Sequence, residues 1–199
     1  MIWIRAVCVA VAFFVGSFVL WRRLRGEYEG EKILEFWMFL ALGFAAIKVW
    51  LWAGVAGVML VLGWWCKKQE WNFWEVGDEV VGVGLWILVI LAIANWQWGR
   101  LAAYLGGVVF LAWVRLTYRR WKWYASGRPG LVGMAGLAWI SGVELAVEGW
   151  GNSSLYWGGL ELSQWLGLWV IVACCVVVYL RSGRKTSEDI LDLWQKILF

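Results

Sequence analysis

The sequence predicts an all-α membrane protein, a bundle of about seven transmembrane helices with the N-terminus out and the C-terminus in. Three observations lead there. Apolar residues make up 63% of the 199-residue chain and charged residues 16%, against roughly 45–50% and 25% in soluble domains. Apolar runs long enough to cross about 30 Å of hydrocarbon recur along the chain. The cations fall in the gaps between these runs, so the net charge of +4 points to anionic lipid headgroups as partner rather than to nucleic acid. Many of the 21 tryptophans stand at run ends (Trp21, Trp64, Trp65, Trp71, Trp96, Trp98, Trp121, Trp123, Trp150, Trp157), where an amphipathic ring suits the headgroup layer.

Taken in order, residues 1–20 form an apolar span followed by Arg22, Arg23 and Arg25. Charge behind the span rather than in front reads as an uncleaved anchor, not a signal peptide. The apolar run Ile33–Cys66 would be about 50 Å long as one helix, too much for a single crossing. A hairpin turning near Trp50–Gly57, with A-G-V-A-G as loose backbone, gives spans at 33–50 and 51–66. Lys67–Glu79 reads as a polar lead-in to a span at 80–96, and a tight turn at Gln97–Arg100 leads into 101–114. Residues 115–128 carry Arg115, Arg119, Arg120, Lys122 and Arg128 with no acid, the clearest cytoplasmic mark in the chain. Pro129 opens the span 130–147. Residues 149–161 lack Lys and Arg, as an outside loop would. The last span is 162–180, stopped by Arg181, Arg184 and Lys185. Residues 186–199 read as a cytoplasmic amphipathic helix capped by Ser187. Placing every basic gap inside requires an even number of crossings between residues 32 and 67, which the hairpin supplies. The whole is one integral membrane domain, with neither an internal repeat nor a linker.

Few residues can carry chemistry. The chain has no histidine, which excludes imidazole metal sites and Ser-His or Cys-His nucleophiles. Cys8, Cys66, Cys174 and Cys175 lack metal-ligand spacing, so no metal and no cofactor is expected. Lys48, fifteen residues into an apolar run, is either functional or a snorkelling cation near a span end. Glu144 and Glu148 share one helix face, where two bare carboxylates repel unless both lie in water.

The stretch Val76–Arg100 brings these residues under one pattern. An acidic lead-in ending at Asp78 precedes an apolar span that closes on Asn95, Trp96 and Gly99. This resembles the prolipoprotein diacylglyceryl transferase family, whose signature there reads G-R-x-G-N-F-x-N-G. Further on, Leu101–Arg120 with Tyr104, R-P-G-L at Arg128–Leu131, V-E-L-A-V-E ending at Glu148, and G-L-E-L-S-Q-W-L at Gly159–Leu166 follow the family in order. The family's two phosphate-side arginines fall on Ala92 and Glu144, and its H-G-G segment has no counterpart in Gly54–Gly63. Lys48 with Trp50 stands where members carry an arginine. The family's periplasmic head domain is also missing.

The resemblance implies transfer of diacylglyceryl from phosphatidylglycerol to a lipobox cysteine in the bacterial inner (plasma) membrane, with a prolipoprotein as second partner. The degraded motifs imply weak or lost activity. Lys48, Asn95, Gly99, Arg100 and Tyr104 are the candidate lipid- or phosphate-binding residues, and Glu144 and Glu148 the candidate bases. Two other readings stand beside the enzyme. One is a catalytically inactive lipid-binding or scaffold homologue. The other is a small ion- or proton-coupled transporter using Lys48, Glu144 and Glu148.

Overall fold

The chain is all-helical in a computed structural model that describes residues 2–47, 50–124, 126–148 and 161–183. Seven α-helices lie within those residues: α1 Ile2–Leu24, α2 Gly30–Ala46, α3 Leu51–Gln69, α4 Phe73–Ala94, α5 Trp98–Thr117, α6 Leu131–Glu148 and α7 Leu162–Arg181. Four stretches, Ala6–Leu24, Phe73–Ala94, Trp98–Arg120 and Leu162–Arg181, are long and apolar enough to cross a membrane, and Leu131–Ala146 is a shorter apolar helix. The composition of the sequence therefore becomes the architecture of a helical membrane protein. Lys48, the loop at 149–160 and the amphipathic helix expected at 186–199 lie outside the described residues.

The long run Ile33–Cys66 divides into α2, which ends at Ala46, and α3, which starts at Leu51 after Trp50 in extended conformation. The A-G-V-A-G segment is not the turn. It forms the first two turns of α3, where its glycines let the helices close. A Cβ on Gly54 would come within 2.7 Å of the Ile47 backbone nitrogen, and one on Gly43 of α2 within 2.9 Å of that of Val58. Small residues permitting backbone approach are the usual means of pairing helices in lipid.

Helix α4 starts earlier than the sequence suggested. Asn72 accepts a hydrogen bond from the Trp74 backbone N–H at 3.2 Å, and the apolar Phe73, Trp74 and Val76 follow it at once. A capped start with apolar residues in its first turn favours helix over loop. Asp78 and Glu79 thus stand in the second turn of a helix, not in a polar lead-in before one.

Helix α4 is the axis of the bundle. On one side it shares a core with α1, α2 and α3 that includes Phe36, Trp37, Leu62, Trp65, Val76 and Val80. On the other it meets α5 and α6 around Leu85, Val89, Tyr104, Leu111 and Ile140. Helix α7 packs on α6, while α3 packs mainly on α2 and only lightly on α4.

Side-chain contacts fix which helix ends lie together. Arg23 near the end of α1 and Arg115 near the end of α5 both reach Glu79 near the start of α4. Asp78 accepts from the backbone N–H groups of Gly130 and Gly133 at the start of α6, at 2.8 and 2.5 Å. Arg181 at the end of α7 donates to the Pro129 carbonyl. The ends of α1, α5 and α7 and the starts of α4 and α6 therefore share one end of the bundle, rich in arginine. Between α5 and α6, Tyr118–Arg120 and Lys122–Tyr124 form short 3-10 turns at this end. Tyr124 is buried there, its hydroxyl bonded to the Arg128 carbonyl at 3.0 Å, and burial pushes the phenol above its ordinary value.

Candidate functional site

At the end of the bundle away from those arginines, three of the candidate residues meet. Arg100 stands in the first turn of α5, Tyr104 one turn further on, and Glu144 faces both from the last turns of α6. One terminal nitrogen of Arg100 lies 3.0 Å from Oε2 of Glu144. The Tyr104 hydroxyl donates to the other oxygen, Oε1. Glu144 is 5% exposed and Tyr104 3%. The second terminal nitrogen of Arg100 bonds Oε1 of Gln97 at 3.4 Å, and its Nε is buried without a partner among the described residues.

This geometry changes the reading of Glu144. It is not a bare carboxylate repelled by its neighbour. The cation it pairs with comes from α5, 44 residues earlier in the chain, a separation that gives no local signal of the pair. Burial without that partner would be prohibitive, since an isolated charge in a low-dielectric interior costs far more than a hydrogen bond returns. Glu148 stands one turn beyond in the helix, and its side chain lies outside what is described.

The other candidates do not join the cluster. Asn95 is exposed and closes α4, donating its side-chain amide to the Leu91 carbonyl at 3.0 Å. Gly99 is exposed too, with open space where a Cβ would point. Trp96 takes a left-handed φ of 58° in the turn and meets Trp98 edge-on at 5.8 Å. At the Ser163–Gln164 corner the Gln164 side chain accepts from the Glu161 backbone at 3.0 Å, completing a capping box that starts α7. Its role there is helix initiation.

Glu79 is a charged centre that the sequence reading passed over. Both its oxygens are bonded by Arg115, and Arg23 adds a contact of 2.6 Å to Oε2. Glu79 is 8% exposed, whereas the two arginine side chains are 39% and 46% exposed. The available signal was an acid in the second turn of a buried helix, with arginines at the ends of two other spans.

A narrow apolar slot also runs along α4, walled by α2, α3 and α6 and enclosing about 680 Å³ with its open mouth. Its polar lining group, Asp78, has both oxygens occupied by backbone N–H groups. Among the described residues no group of three or more His, Cys, Asp or Glu could hold a metal ion.

No family model, curated protein or solved structure matches this chain.

Proposed function

We propose that this chain is a lipid-binding protein of the bacterial plasma membrane, built like a prolipoprotein diacylglyceryl transferase but transferring diacylglyceryl slowly or not at all. It crosses seven times, with the N-terminus out and the arginine-rich end in the cytoplasm. The observation that carries this reading is the closed cluster of Arg100, Tyr104 and Glu144.

Diacylglyceryl transfer needs a base for a thiol of pKa about 8.5 and cations for a phosphate leaving group. Glu144 has both oxygens turned toward protein donors, so it is not aimed at a substrate thiol. Arg100 directs its two terminal nitrogens at Gln97 and Glu144 and its Nε is buried, so it presents no open fork to a leaving phosphate. A transition state with developing charge needs several donors held in place. Loss of a single such donor commonly costs about 10²–10³ in rate. The transporter reading is weaker for a related reason. An ion path wants polar groups lining a wet cavity, whereas the slot along α4 is apolar and the described buried acids are all spent on protein donors.

Topology supports the membrane orientation. Arg23, Arg115, Arg128 and Arg181 gather at one end of the bundle, and such a bias marks the cytoplasmic face.

The test is a lipobox peptide incubated with the purified protein in phosphatidylglycerol micelles and read by its mass. The expected result is no diacylglyceryl adduct beyond a protein-free control. Turnover within the ordinary enzyme range of about 1–10³ per second, abolished by Glu144→Ala, would overturn the inactive reading.

A further inference from the structure

The slot along α4 is long, apolar and narrow, with a cation at one end. It follows α4 from Trp74 to Leu88, a distance of about 21 Å at 1.5 Å per residue. Half of the hydrocarbon core is about 15 Å, so a chain entering at the arginine-rich end would pass the midplane inside protein. Gly77 and Gly84 on α4 and Gly133 on α6 keep its lining low, and Met59 and Met134 face it from α3 and α6. Methionine side chains adapt to irregular contents more readily than branched ones.

At the arginine-rich end the slot begins at Trp74 and Gly130. The Arg181 guanidinium lies over the Trp74 ring, 4.0 Å from its centroid. It bonds the Pro129 carbonyl through Nε at 3.1 Å and a terminal nitrogen at 2.7 Å. Among the described residues no carboxylate pairs directly with it, and Asp78 stands on the other side of the Pro129–Gly130 peptide with both oxygens bonded to backbone N–H groups. An apolar slot ending under an unpaired guanidinium is complementary to an amphiphile with an apolar tail and an anionic head.

We propose that the slot holds one acyl chain of an anionic phospholipid whose phosphate meets Arg181, at the end of the bundle away from Arg100 and Glu144. The site rests on the lipid-binding reading above and adds which leaflet and which helices hold the lipid. The occupant enters sideways between α3 and α6, which line opposite walls of the slot. Its phosphate meets the Arg181 guanidinium beside the Tyr124 hydroxyl, while the Trp74 ring shields the guanidinium from the acyl region.

The test uses the full chain in mild detergent with phosphatidylglycerol carrying a mid-chain diazirine. Photolysis and peptide mapping of the wild-type protein should place cross-links on Met59, Val81 and Met134. Native mass spectrometry should show one retained phosphatidylglycerol per chain. Gly77→Leu fills the slot, and a Cβ there meets Leu62 at an ordinary 3.6 Å, so this variant should fold and lose the retained lipid. Arg181→Gln should reduce the preference for phosphatidylglycerol over phosphatidylcholine about fivefold, the effect of one cation at an anionic surface. Cross-links confined to the outer faces of α1, α5 and α7 would overturn the site, as would Gly77→Leu retaining lipid like the wild type. Retention with cross-links near Arg100 would sink this slot and leave the lipid-binding reading standing, and no retention at all would sink both.

Discussion

Glu144 and Glu79 are both buried acids paired with arginine, yet the two clusters should respond differently to mutation. The partners of Glu79 are well exposed, at 39% and 46%. Without Glu79 each arginine can turn toward water or headgroups. Glu79→Gln should therefore cost only about 1–2 kcal/mol, within the range for hydrogen bonds that involve a charge. Glu144 has no such escape. Arg100→Ala leaves a carboxylate that is 5% exposed with a tyrosine hydroxyl alone. Losing one partner of a buried pair typically costs about 3–5 kcal/mol. Chemical denaturation in detergent should show Arg100→Ala well below Glu79→Gln in stability. Equal losses would mean that the Glu144 cluster is wetter than its burial indicates.

At the scale of elements, Asp78 acts as a cap supplied by another helix. Its carboxylate accepts from the Gly130 and Gly133 N–H groups, two donors at the start of α6 that have no partner within their own helix. A negative charge is also favoured at a helix N-terminus. Asp78→Ala should therefore cost about 0.5–2 kcal/mol, the usual effect of losing a cap, and hydrogen exchange should quicken at residues 130–134 before anywhere else. Gly133→Ala should act in the same direction, because its Cβ would lie 2.9 Å from Oδ1 of Asp78. Unchanged exchange at those amides in both variants would show that α6 starts without Asp78.

The same scale shows what could be read in the chain and what could not. Apolar length marked the helices, because desolvating backbone leaves little alternative to helix in lipid. The α2–α3 break was placed too late, since Gly54 and Gly57 look like turn residues until the helix they must accommodate is known. Asp78 was recognised by its position in a resemblance, but its bond to α6 depends on a contact 52 residues away. Trp65 was assigned to the headgroup layer with its neighbours, yet it is 1% exposed and packs against Phe36 and Trp71. A tryptophan at a span end can face lipid or core, and only the packing decides. Trp64, next to it, is 51% exposed.

For the whole molecule, the gathering of basic helix ends makes a claim about sidedness. Single cysteines at Ser126 and Ser153, in a background freed of the native cysteines, should label from opposite sides of the membrane, with Ser126 reached from the cytoplasm. Labelling from the same side would contradict the seven-crossing arrangement. The two ends also differ in charge: Arg23, Arg115 and Arg181 gather at one, the first two on a single buried acid, Glu79, while at the other Arg100 is turned on Glu144.

If the pairing of Arg100 with Glu144 serves the fold rather than a reaction, apolar residues can take its place. Replacing a buried ion pair with apolar residues of similar size is often neutral or stabilising, whereas removing one partner is costly. The decisive measurement is the stability of Arg100→Met, Glu144→Met and the double variant in one detergent, with phosphatidylglycerol retention read on each. Both single variants should fall by several kcal/mol, and the double variant should recover most of that loss while still retaining lipid. A folded double variant that retains no lipid would contradict this, because the pair would then be serving the ligand rather than the fold.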